Sequence, residues 1–143
     1  MQNKPATICD RLYYNAAYKP EATALEFPDR KPLSYQQLWE FINDYKKVFA
    51  SSGLARQSRI GLLMPMGLEA AIAVFASTCY TATLPINPGL TVYEIKRLAQ
   101  RFKLNAIILD QAAVQAPDIY RLGRELDLFL FTVNREKGKA AGP

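Results

Sequence analysis

The sequence predicts an α/β domain, a mostly parallel sheet flanked by helices on both faces, with an N-terminal β-hairpin. Three observations carry this. Short apolar runs recur over 60–64, 105–110 and 128–133, a pattern that suits parallel strands covered on both sides. The segments between them carry apolar residues at helical spacing. Three of those helices are announced by capping boxes, Thr7 with Asp10, Ser34 with Gln37, and Thr91 with Glu94.

Taken in order, the first helix opens at Thr7, places Ile8, Leu12 and Ala16 at helical spacing, and is stopped by Pro20. Residues 22–27 read as a strand, Pro28-Asp29-Arg30-Lys31-Pro32 as a turn, and 33–35 as a second short strand, which together make the hairpin. The box at Ser34 opens a long helix whose Leu38, Ile42, Tyr45 and Phe49 form a buried stripe, with Trp39 flanking it. Gly53 is placed to end that helix in the left-handed region. After the strand at 60–64, residues 67–80 are apolar on every side with Glu69 as their single charge, which predicts a helix buried all round. Leu84 to Gly89 is a strand end running into a rigid loop. The box at Thr91 opens a helix with a buried stripe of Ile95, Leu98, Ala99 and Phe102, and a wet side of Lys96, Arg97 and Arg101. Residues 111–124 are expected to be helical in two pieces, with Pro117 in a first turn. Residues 1–134 make one domain, and 135–143 a polar, mobile tail where the chain is cut short.

At 143 residues the chain buries about 68–70% of the surface its unfolded form exposes, enough for a real core. Half its residues are hydrophobic and 22% charged, ordinary for a globular protein. The formal net charge is +5, but the positive residues are interleaved with acidic ones. Only Lys96, Arg97, Arg101 and Lys103, and Arg135, Lys137 and Lys139 in the tail, gather locally. This reads as a solvated charged face, with no nucleic acid as partner.

The absence of histidine excludes Ser-His-Asp and Cys-His nucleophile pairs, because no imidazole is present to act as base. It also excludes histidine-containing zinc sites. Cys9 and Cys79 fall in apolar helical patterns as small hydrophobes, and two thiols cannot make a four-thiolate site. The N-terminus has no signal-peptide pattern, and the apolar run from Leu68 to Ala82 falls short of the ~20 residues of a membrane span. A cytoplasmic protein is expected.

Positive motifs for chemistry are missing. Gly53, Gly61, Gly67, Gly89, Gly123, Gly138 and Gly142 never fall in a phosphate-cradling spacing. Asp10, Asp29, Asp44, Asp110 and Asp118 are scattered, each with a capping, turn or surface role, and Asn87 and Asn134 suit turns. No aromatic-and-basic stripe marks a single-strand surface.

Leu33-Ser34-Tyr35-Gln36-Gln37-Leu38 resembles the first core motif of the adenylate-forming ligases, L-[TS]-Y-x-E-L, a superfamily of acyl-CoA synthetases, amino-acid-activating domains of peptide synthetases and luciferases. The likeness continues in order. Gly53-Leu54 and Ser58-Arg59-Ile60-Gly61-Leu62-Leu63-Met64-Pro65 are similar to G-[VL]…G-D-R-V-A-[IL]-x-x-P. Glu69 to Ala76 resembles the family's E-x-x-x-A-x-x-A helix, and Leu84-Pro85-Ile86-Asn87-Pro88 with Thr91 and Glu94 its P-L-N-P…T-x-x-E-[IL] segment. The sequence departs at Ser58 for Asp, Met66 for Asn, Gln37 for Glu, and Thr81 for a Gly, all structural positions. The wording from Ala82 to Pro88 resembles acyl-CoA synthetases more than peptide-synthetase domains.

The resemblance implies activation of a carboxylic acid by ATP through an acyl-adenylate, then transfer to a thiol such as that of coenzyme A. The family's phosphate loops, adenine-contacting aromatic motif, ribose-binding Asp and catalytic Lys have no counterparts in this chain. No residue here is therefore assigned a catalytic, cofactor-binding or metal-binding role. ATP and Mg belong to the full-length parent, and the partner of this chain is the rest of that ligase. The chain alone is expected to be inactive and to self-associate. The alternative is a stand-alone, non-catalytic α/β interaction module derived from such an enzyme.

Overall fold

The computed structural model describes residues 7–113 and 115–134. Helix α1 (Ile8–Tyr18) begins at the predicted cap, where Thr7 Oγ1 accepts from the Asp10 N–H at 3.1 Å and Asp10 Oδ2 accepts from the Thr7 N–H at 3.0 Å. Strands β1 (Thr23–Leu25) and β2 (Leu33–Ser34) pair antiparallel as the hairpin, with Thr23 opposite Ser34 and Leu25 opposite Leu33. Helix α2 (Tyr35–Ser51) follows at once, capped reciprocally by Ser34 and Gln37. It buries Leu38, Ile42, Tyr45 and Phe49 along one stripe. Gly53 then takes φ +87°, a left-handed conformation that glycine adopts without a side-chain clash.

The rest alternates regularly: β3 (Arg59–Leu63), α3 (Leu68–Thr78), β4 (Ala82–Pro85), α4 (Val92–Arg101), β5 (Ala106–Asp110), α5 (Ala116–Leu126) and β6 (Phe129–Val133). The four later strands form one sheet in the order β4-β3-β5-β6, every pair parallel. Strand order reverses between β3 and β5, because the crossover through α4 passes over β3. Helices α1, α2 and α3 cover one face, over Ile60, Leu62, Ala106, Ile108 and Val133. Helices α4 and α5 cover the other, over Leu63, Ile107 and Leu109. Gly61 is required on this second face, since a Cβ there would lie 2.8 Å from Leu104 Cδ1 and 3.0 Å from Ile86 Cδ1.

The structure corrects four expectations. Ile8 is 49% exposed, so α1 contributes Leu12 as its single buried residue. Phe102 is the C-cap of α4 rather than part of its stripe and is 38% exposed, its ring beside Arg101; Ile95 and Ala99 carry the buried contact. Residues 111–124 hold one helix, not two pieces, because the chain turns first and α5 begins at Ala116 with Pro117 in its first turn. Helix α3 is not buried all round, for Ala71, Val74 and Phe75 are only half-buried. Lys96, assigned to the wet side of α4, reaches α5 and pairs with Glu125. The expected tail at 135–143 lies outside the described residues.

Candidate functional site

The half-buried side of α3 opens onto a groove of about 720 Å³ at the carboxyl ends of β3 and β4. Its walls are easily traced to the sequence. Parallel strands deliver their ends to the same edge of the sheet, and both ends here carry prolines that forbid further pairing. Leu62, Met64, Pro65 and Met66 arrive from β3, while Pro85, Ile86, Asn87 and Pro88 arrive from β4. Helix α3 adds Ala70, Ala71, Val74 and Phe75, and Phe27 leans in from the hairpin turn. Met66 stands at the rim, 93% exposed.

The groove has the volume of a small-molecule pocket but not the chemistry of one. None of its lining side chains is titratable, and Asn87 is its single polar side chain. Asn87 Oδ1 already accepts from the Gly89 N–H at 2.8 Å, which shapes the Pro88-Gly89 turn. Glu69 lies just behind, close to Gly67, and is buried in an ion pair with Arg30, whose Nη1 is 2.6 Å from Glu69 Oε1. Burial pushes the nearby Tyr45 hydroxyl up to about 12, and the Glu69 charge adds to that shift. The side chains of the groove therefore supply apolar contact and no group for proton transfer.

The carboxylates considered from sequence take structural places. Asp10 caps α1, Asp29 sits in the hairpin turn at φ +59°, and Asp44 and Asp118 lie on the surface beside Lys47 and Arg121. Asp110 is buried at the end of β5, where strand order reverses, and its Oδ1 accepts from the Ala112 N–H at 3.0 Å. Trp39 is a boundary residue between α1 and α2, with its ring centroid 5.4 Å from that of Tyr13 and Lys46 Nζ 5.1 Å above it. Among the described residues no cluster of three or more Cys, Asp or Glu side chains is arranged to hold a metal ion. The sequence reading missed the groove and the Arg30–Glu69 pair. A lone charge in an otherwise apolar helix was the available signal for the pair, because such a charge needs a partner.

Comparison with known proteins places this geometry. The family model described as AMP-binding enzyme matches residues 12–130. Over 79 residues the chain is 32% identical to the hybrid PKS-NRPS synthetase pynA of Aspergillus niger, covering 52% of this chain and 2% of that protein. The fold is shared with apo MatB from Rhodopseudomonas palustris at a TM-score of 0.78 and 17% identity, over 94% of this chain and 26% of MatB. It is shared also with o-succinylbenzoate CoA synthetase (MenE) from Bacillus subtilis, in complex with the acyl-adenylate OSB-AMP, at a TM-score of 0.72 and 15% identity, over 84% of this chain and 30% of MenE. The chain thus spans less than a third of these two solved neighbours and a far smaller share of the curated relative.

Proposed function

The chain belongs to the AMP-binding enzyme family, and on that footing we propose that it is the N-terminal subdomain of an ATP-dependent, adenylate-forming ligase of acyl-CoA synthetase type. The parent, in this reading, activates a carboxylic acid as its acyl-adenylate with release of pyrophosphate, then passes the acyl group to a thiol. The MenE neighbour, held with an acyl-adenylate, supports that reaction class. The match to a hybrid PKS-NRPS synthetase favours a second form of the same reading, in which the acceptor thiol belongs to a carrier protein.

One observation carries the division of labour. The groove at the ends of β3 and β4 is apolar throughout, in a chain that spans 26% of MatB. Its side chains do not fit ATP or Mg, since neither cationic groups nor a pair of carboxylates line it. They fit a protein surface, and the occupant we assign is the remainder of the parent's large domain. This chain's role is then to complete the fold of that domain, and alone it performs no adenylation. A cytoplasmic setting belongs to the same reading; no helix among the described residues is long and apolar enough to cross a membrane.

Sequencing the transcript beyond the codon for Pro143 tests the assignment. A continuing frame with a Ser/Thr/Gly-rich phosphate-loop segment is the expected result. A stop codon directly after Pro143 would overturn it in favour of a stand-alone interaction module.

A further inference from the structure

Strand β6 forms one outer edge of the four-stranded sheet. On its inner side the Phe129 N–H donates to the Asn105 C=O, and the Val133 C=O accepts from the Gln111 N–H. Backbone groups alternate in direction along a strand, so Phe129, Phe131 and Val133 pair towards β5. Leu130 and Thr132 therefore turn their N–H and C=O outward, where no backbone group among the described residues pairs with them. Sheet edges are commonly blunted by a proline or a charge. The opposite edge, β4, ends in Pro85, whereas β6 reads Phe-Leu-Phe-Thr-Val and has neither.

The side chains beside this edge supply a knob and a hole. Phe129, Phe131 and Val133 share the face of the sheet that α2 covers. Phe131 is held against Phe49, their ring centroids 5.3 Å apart, but Phe129 is 46% exposed. A hollow of about 280 Å³, larger than a phenylalanine side chain, opens among Tyr45, Val48, Phe49, Phe131 and Val133.

We propose that β6 is a self-pairing edge, at which two copies of this chain join antiparallel about a two-fold axis through Phe131 and continue one sheet into the other. In that register Leu130 faces Thr132 of the second copy, and the two exchange both of their N–H···O=C bonds, as does the symmetric pair. Phe129 of each copy falls opposite Val133 of the other, on the α2 side, and its ring enters the hollow there. A two-fold at Leu130 or at Thr132 would instead leave one of them facing a residue outside β6. No residue from 128 to 134 is charged, so the register sets no like charges opposite each other. One strand and one aromatic ring from each copy make a contact smaller than the ~1,200 Å² of a standard interface, which makes the pair concentration-dependent rather than permanent. The pairing does not depend on the ligase assignment or on what fills the groove.

Sedimentation velocity of the 143-residue chain across the micromolar range, with amide hydrogen exchange at both ends of that range, tests the proposal. A dimer should grow with concentration, and the Leu130 and Thr132 amides should exchange about tenfold more slowly in it. Thr132→Pro removes an outward N–H and leaves the ladder to β5 whole, so it should weaken the dimer about thirtyfold, one hydrogen bond lost in each half. Thr132→Ala, which keeps the N–H, should pair as the wild type does. Phe129→Glu changes an exposed side chain, and it should weaken the dimer with an unchanged melting curve, even if the proline disturbs the strand. A chain that stays monomeric throughout overturns the proposal. So does a dimer that a folded Thr132→Pro or Phe129→Glu variant leaves at wild-type strength.

Discussion

Arg30 Nη1 lies 2.6 Å from Glu69 Oε1, which ties the turn between β1 and β2 to the first turn of α3. Glu69 is almost fully buried, its side chain 4% exposed, so removing the arginine alone leaves a carboxylate in the core. Arg30→Ala should lower stability in urea melts by about 3 kcal/mol. The double replacement Arg30→Met with Glu69→Met should recover most of that loss, because the desolvation cost disappears with the charges.

Tyr45, which packs α2 close to Glu69, should titrate late. Its hydroxyl is raised from 10.0 to about 12, first by burial and then by the Glu69 charge. The unfolded chain releases this proton at lower pH than the folded one. The stabilising contribution is therefore complete below pH 10 and is lost as pH rises from 10 towards 12. Ultraviolet difference titration should show one phenolate appearing well after the exposed tyrosines, and Glu69→Gln should bring it earlier without restoring the ordinary value.

Ile72 is 1% exposed on α3, and a charge there has no partner. Ile72→Asp should cost about 4 kcal/mol or leave the chain insoluble. Lys96→Asp turns a surface attraction to Glu125 into a repulsion and should cost about 1 kcal/mol. Circular dichroism melts of the two variants give the comparison directly.

Much of this fold is legible in the sequence, and its limits have physical causes. All three capping boxes form, because a cap is a local interaction between residues three apart. The apolar runs at β3 and β5 become the buried centre of the sheet, since continuous apolarity demands cover on both faces. Helix α3 shows where such reading fails. Its apolar pattern states that every side avoids water, but not what covers Ala71, Val74 and Phe75, and within this chain they face an open groove. Ile8 and Phe102 fail similarly, at helix ends where spacing continues a stripe beyond the elements that cover it. The groove itself had no sequence signature, because its walls come from four separate segments that only the topology assembles.

An apolar groove with Met66 at its rim, together with the exposed Phe129 on edge strand β6, should drive self-association of the isolated chain. Size exclusion with light scattering should show a dimer or larger species at micromolar concentration. Val74→Glu, placed in the groove, should shift that equilibrium towards monomer while the melting curve changes little. A wild-type chain that remains monomeric across a hundredfold concentration range would speak against a docking surface there.

The central claim is that this chain carries the family's fold without its chemistry, and acid-dependent ATP–pyrophosphate exchange by the purified 143-residue chain tests it most directly. None of the groove's lining side chains carries a charge that could stabilise a transferring group. Exchange should stay at background with every carboxylic acid offered, whether short, long, aromatic or dicarboxylic. Robust exchange that depends on one of those acids would contradict the account.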